Sequence, residues 1–304
     1  MMFQHSGGRD FEVMFALFNT IAFGSTVALI TGSNKGIGKE IARKLAATPD
    51  MTVILGCRNL ELGASAAKEL AACAWPPPKQ ADVAVQRIDL AEFTTVEAAR
   101  DAIASEYGRL DVLVNNAAIC FNDPTLYGRT TYTPFEQQAS ITLQTNFFGT
   151  LALTRAMLPL LRASPSPRII NVASAAGRLR GSAEKIAALT SPTLSLTNLE
   201  ALMCSFVSDA EAGMHQARGW PNTCYGVSKM GLIAMSRVLA RDEPAIMVNS
   251  VDPGYCATDQ NDHQGYVSAE RGARTSALLA TLPAENFVSG AHWLEEREID
   301  WTYL

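Results

Sequence analysis

At 304 residues, with 48% hydrophobic and 18% charged side chains, the chain can bury a large core and is not a disordered tail. A formal net charge of −5 and an isoelectric point near 5.5 argue against a nucleic-acid partner, which would need a basic face. No polybasic run marks a membrane surface, and six scattered cysteines without C-x-x-C spacing argue against zinc and fit reduced thiols in a cytoplasmic protein.

Residues 1–25 read as a poorly ordered N-terminal extension. "FALFNTIAF" (15–23) is apolar, but Asp10 and Glu12 spoil the basic flank of a secretory leader, the rival reading, and the run is too short to span a bilayer. From Thr26 onward apolar runs alternate with helical ones. "TVALITG" (26–32) predicts a buried parallel strand, and "GIGKEIARKLAAT" (36–48) a helix with Ile37, Ile41 and Leu45 on one stripe. "MTVILGC" (51–57), "DVAVQRIDL" (82–90), "LDVLVNNAA" (110–118), "RIINVAS" (168–174) and "AIMVNSVDPG" (245–254) predict five further strands. Helices fall between them over 60–74, 95–108 and about 135–161, and "CYGVSKMGLIAMS" (224–236) forms another. This alternation predicts an α/β domain over 26–304, one doubly wound parallel sheet covered on both faces. Residues 175–220 interrupt it as a helical insertion: "TNLEALMCSFVSDAEAGMH" (197–215) places Leu199, Leu202, Met203 and Phe206 on one face, with Thr197 and Glu200 as a capping box.

"TGSNKGIG" (31–38) joins the first strand to the first helix. Its three glycines allow a sharp turn, approach of a phosphate and close packing of the helix, whose free N–H groups face an anion. A P-loop would need glycine at Ser33 and a hydroxyl at Glu40, and the spacing is G-x-x-x-G-x-G rather than G-x-G-x-x-G. A plain glycine turn is the competing reading. Tyr225 and Lys229 lie one helical turn apart, so the ammonium can favour the phenolate and make a tuned proton donor. Taken alone, the pair also reads as a surface aromatic beside a solvated lysine.

The motifs "TGSNKGIG" (31–38), "NNAA" (115–118), "TNFFGT" (145–150), "INVASAAG" (170–177), "GWPNTCYGVSK" (219–229) and "DPGYCATD" (252–259) occur in this order. With them the chain resembles the short-chain dehydrogenase/reductase family, and within it the monomeric NADPH-dependent carbonyl reductases, from about Val27 to Trp293. The resemblance implies a Rossmann-type fold and reduction of ketones, aldehydes or quinones to alcohols. It assigns Tyr225 as general acid, Lys229 as the ribose contact that lowers its pKa, Ser174 as the group polarising the carbonyl, and Asn146 as the residue that kinks the long helix and anchors a relay water. Hydride transfer places negative charge on an oxygen, which calls for an aimed donor and a proton. A secondary-alcohol or steroid dehydrogenase, and a non-catalytic NADP(H)-binding regulator on the same fold, stay open.

For the cofactor, the resemblance implies contacts from Gly32, Ser33, Lys35, Gly36, Ile37 and Gly38, from Arg58, Asp89, Leu90 and Asn116, and from Tyr225, Lys229, Pro253, Gly254 and Thr258. The second strand ends without an acid, and Arg58 follows it; with Lys35, that favours the 2′-phosphate of NADPH. Leu62 replaces a further arginine of such reductases, Ala118 a glycine, and Tyr255 a tryptophan. Cys224 and Cys256 flank the site and read as small buried hydrophobes. The stretch "NDPTLYGRTTYTP" (122–134) reads as a loop near the substrate entrance, and the helical insertion predicts a monomer. The implied partner is a small carbonyl compound, with no nucleic acid, membrane or metal.

Overall fold

The structure, a computed structural model, describes residues 25–72, 82–121, 133–286 and 288–303. The expected extension apart from Ser25, and the entrance loop apart from Thr133 and Pro134, lie outside these residues.

Six strands form the parallel body of the sheet: β1 (Thr26–Thr31), β2 (Met51–Cys57), β3 (Asp82–Arg87), β4 (Val112–Asn115), β5 (Arg168–Val172) and β6 (Met247–Asp252). A short β7 (Cys256–Ala257) pairs separately with β8 (Val267–Ser268). The main sheet continues through β9 (His292–Leu294), parallel to β6, and β10 (Arg297–Ile299), antiparallel to β9. Among the described residues its order is β10-β9-β6-β5-β4-β1-β2-β3. Direction of winding reverses between β1 and β4, which opens a crevice at their carboxyl ends, the usual ligand position in such sheets. The last two strands are three residues each, too short to carry a readable alternation.

Helices α1 (Gly36–Ala46), α2 (Leu60–Ala72) and α3 (Phe93–Tyr107) follow the first three strands. The long helix expected over 135–161 is α4 (Phe135–Leu143), a π-helical turn (Gln144–Gly149) and α5 (Thr150–Arg162) in unbroken succession. After β5 come α6 (Ala183–Thr190), α7 (Leu196–Glu211) and α8 (Cys224–Asp242), and after β8 the short α9 (Ala269–Gly272) and α10 (Arg274–Thr281).

Period-two alternation in the buried strands feeds two cores. Leu29, Ile54, Leu113 and Ile169 point to one face, against Ile103, Phe147, Met157 and Met235. Ala28, Ile30, Val53 and Val114 point to the other, against Ile41 and Leu45 of α1 and Leu70 of α2. Both faces are therefore covered, which is why the strands read as continuous apolar runs. No described helix is long and apolar enough to cross a membrane.

Helix α7 departs from the sequence reading at its start. Its cap is Ser195, whose Oγ accepts a hydrogen bond from the Asn198 backbone N–H at 3.1 Å. Thr197 is already inside the first turn, and Glu200 instead pairs with Arg155 of α5 at 2.7 Å, so no capping box forms there. Strand β4 is also shorter than 110–118, because Asn116 to Ala118 leave the sheet beneath the glycine loop.

Candidate active site

The site lies at the carboxyl ends of β1, β4, β5 and β6. At β1, Gly32 and Gly36 take positive φ of 64° and 57°, which glycine adopts without a Cβ penalty. Gly38 needs to be glycine for a different reason: a Cβ there would lie 2.6 Å from the Gly32 carbonyl oxygen and collide with the Asn116 amide. Ser33 is buried and donates to the Ile30 carbonyl at 2.8 Å, while Ile37 opens α1 on a half-buried face. Lys35 caps α1 in extended conformation without a side-chain bond to its N–H groups, and no acid lies in its first turn. That helix end keeps its donors and partial positive charge for an anion.

Asn116 was expected against a cofactor ribose. Its Nδ2 donates to the Thr31 and Gly32 carbonyls at 2.8 and 3.3 Å, so the amide nitrogen shapes the glycine loop. Asp89 uses one carboxylate oxygen to accept from the Ala91 N–H at 3.0 Å, and Leu90 beside it is buried. Arg58 is exposed just past β2. Across the cleft, Pro253 and Gly254 (φ 79°) leave β6, and the Thr258 methyl lies 3.5 Å from where a Gly36 Cβ would stand.

Four further side chains converge from three places in the fold: the end of β5, α8 and the π-turn. Ser174 follows β5 and accepts from the Ala176 N–H at 3.2 Å. Tyr225 lies in the first turn of α8, capped by Thr223, with Ser174 and Gln260 near enough to its phenol to influence it. Lys229, one turn on and 2% exposed, donates from Nζ to the Val172 carbonyl at 2.7 Å and stands 5.5 Å from the Tyr225 ring centroid. Asn146 is fully buried in the π-turn; its Oδ1 accepts from Ile119 N–H at 2.8 Å, and its Nδ2 donates to Ile119 O at 2.9 Å and Ser228 Oγ at 3.1 Å. The widened turn lets an amide inside a helix reach the segment beyond β4, as π-turns do at functional sites.

The electrostatics reverse one expectation. Burial pushes the Tyr225 phenol above its ordinary range, with Cys120 and Asp252 adding to the rise and Gln260 and Ser174 opposing it. Lys229, itself held low at about 8 by the same burial, does not outweigh that rise. Asp252 is raised by burial and lowered in part by the Gly254 and Ala175 N–H groups. Cys224 and Cys256 are buried thiols pushed up to about 12 and about 11, the state of small hydrophobes rather than of nucleophiles. Cys120, Asp252 and Gln260 escaped the sequence reading as site residues. Only the tertiary fold brings them to Tyr225 and Lys229.

The residues present fit a dinucleotide: a glycine turn closed to a Cβ at Gly38, a helix end with no side-chain cap, and two cations, Lys35 at that helix end and Arg58 just past β2.

Comparison with known proteins agrees with this geometry. Residues 26–187 match the family model described as short chain dehydrogenase. Carbonyl reductase (NADPH) 1 of Homo sapiens is 36% identical over 288 residues, covering 91% of this chain and 98% of that protein. Carbonyl reductase (NADPH) 3 of Rattus norvegicus is 38% identical over 272 residues, covering 86% and 92%. Among solved structures, salutaridine reductase from Papaver somniferum superposes with a TM-score of 0.78 at 28% identity, covering 88% of this chain and 99% of that one. Menthone neomenthol reductase from Mentha piperita gives 0.76 at 28% identity, covering 90% and 99%.

Proposed function

The chain belongs to the short chain dehydrogenase family, and on that premise we propose that it is an NADPH-dependent carbonyl reductase. It reduces ketones, aldehydes or quinones to alcohols, with Tyr225 as the proton donor. The observation that carries the reading is the Tyr225–Lys229 pair: the Lys229 Nζ stands 5.5 Å from the Tyr225 ring centroid, Ser174 acts on the phenol from the end of β5, and Asn146 braces α8 through Ser228.

Gly32, Ser33, Gly36, Ile37 and Gly38, with the N-terminus of α1, hold the cofactor's diphosphate; Lys35 and Arg58 take the 2′-phosphate. Asp89, Leu90 and Asn116 border the adenosine, and Pro253, Gly254 and Thr258 the nicotinamide. When bound, the nicotinamide supplies the hydride. The protein's own part is to hold the carbonyl and its developing charge. Ser174 donates to that oxygen, since the lone pair it gives to Ala176 leaves its O–H free to turn toward the cleft. Tyr225 is neutral at pH 7 because burial disfavours the phenolate, so it has a proton to release as the oxygen becomes basic. The phenolate left behind faces Lys229, largely protonated at neutral pH with a pKa of about 8.

NADPH consumption measured against a panel of dicarbonyls, quinones, aldehydes and steroids tests the proposal. Turnover with at least one class is expected, and Tyr225→Phe should lower kcat by at least ~100-fold while cofactor binding survives. Wild-type turnover in that variant would remove Tyr225 from the chemistry.

A further inference from the structure

We propose that Asp259 is a specificity-determining residue of the cofactor cleft: in the free protein it holds Lys35, and the cofactor's 2′-phosphate must win that ammonium from it. The inference rests on the assignment of Lys35 to the 2′-phosphate made above. Lys35 Nζ donates to Asp259 Oδ2 at 2.7 Å, across 224 positions of sequence. The two side chains are 64% and 55% exposed, so an incoming phosphate can reach the pair and exchange with it. A carboxylate is thus delivered from the far side of the cleft to the cation at the capping position of α1, a helix with no acid in its own first turn.

Asp259 is presented by a well-fixed turn. Asn261, 7% exposed, donates to the Cys256 carbonyl at 2.9 Å and accepts from the Thr258 N–H at 3.1 Å. Asp262 and His263 then take positive φ of 53° and 59° to complete the return, and His263 Nε2 lies 3.2 Å from Asp259 Oδ1. The Lys35 bond keeps the Asp259 carboxyl below its ordinary range, so a full negative charge competes with the phosphate at neutral pH. Gln260, next in the same turn, is near enough to the Tyr225 phenol to oppose its rise in pKa. One turn therefore faces both the proposed phosphate-binding cation and the phenol.

A cofactor lacking the 2′-phosphate cannot compete for Lys35, and its affinity is independent of Asp259. Calorimetric titration of adenosine 2′,5′-bisphosphate and adenosine 5′-monophosphate into wild type, Asp259→Asn, Lys35→Met and the double variant tests this without turnover. Asp259→Asn should tighten the bisphosphate by roughly two- to fivefold, the scale of one exposed ion pair, and leave the monophosphate unchanged. The gain should vanish in the Lys35→Met background. Equal tightening of both ligands, or tightening that persists without Lys35, would mean general repulsion by Asp259 and overturn the inference. Weaker binding of both would make Asp259 a support of the turn and overturn it equally. In each of those cases a loss of bisphosphate affinity in Lys35→Met leaves the Lys35 assignment standing. If Lys35→Met changes nothing, the assignment and the inference fall together.

Discussion

At Lys229 the proposed chemistry and the stability of the fold pull against each other. An ammonium only 2% exposed, with one carbonyl partner, is held at about 8 against an ordinary 10.5. The unfolded chain therefore binds more protons than the fold between about pH 8 and 10.5, and stability rises with pH there. The Tyr225 phenol, raised by burial, acts in the opposite sense once pH exceeds its unfolded value of about 10, so the clean window is roughly pH 8 to 10. Across it the wild type should gain about 2 kcal/mol relative to Lys229→Met, read from urea denaturation of both at each pH. A constant difference would place the lysine in a more polar setting than its burial implies. The two exposed cations Lys35 and Arg58 carry a separate expectation. Titration should show NADPH bound more tightly than NADH, and Lys35→Ala with Arg58→Ala should narrow the gap; equal wild-type affinities would reject their assignment. Of these residues, Tyr225 and Lys229 were legible through the ordered motifs around them, since their one-turn spacing alone also fits a surface pair. Gln260 and Cys120 were not, since nothing local relates them to residue 225. The direction of the phenol shift was misread for the same reason: spacing shows the ammonium but not the burial that outweighs it.

At the scale of elements, strands and helices were legible wherever one period persisted. The π-turn was not, because "QTNFFG" has the composition of ordinary helix and its extra residue is visible only in the backbone. Gly149 closes that turn, and its missing Cβ leaves room for the Leu90 carbonyl, which a methyl would strike directly. Leu90 is adjacent to Asp89, so the turn that places Asn146 also sets the wall expected beside the adenosine. Gly149→Ala should therefore cost about 1–3 kcal/mol through overpacking. Its denaturation midpoint should fall, and nucleotide affinity should weaken at temperatures where the variant is still folded. A midpoint equal to wild type would show that the turn yields freely, and that Gly149 is there for helix geometry alone.

For the whole molecule, the question is what covers the outer face of α4 and α8. Short-chain reductases of this resemblance that assemble would need that face bare, and here α7 lies on it. Leu199, Met203 and Phe206 of α7 are fully buried, Leu202 is half-buried, and Phe206 meets Trp220 edge-on at 5.5 Å. On α8, Gly231 has no side chain where Met203 Sδ and a Phe147 ring carbon would lie 2.8 and 2.9 Å from a Cβ, so the helices approach closely. Arg155 and Glu200 clasp α7 to α5 with two bonds of 2.8 and 2.7 Å, and Arg241 of α8 donates to the Pro192 and Leu194 carbonyls ahead of it. A segment anchored at its N-terminal end and packed through its apolar stripe occludes the helices beneath it. The chain should accordingly sediment as a monomer near 32.7 kDa at micromolar concentration. Phe206→Asp, which buries a charge in that contact, should destabilise the packing by several kcal/mol and expose apolar helix surface. Self-association or dye binding is then expected in the variant but not in the wild type. A stable wild-type tetramer would mean that another face of the molecule assembles, and that α7 serves the site rather than solubility.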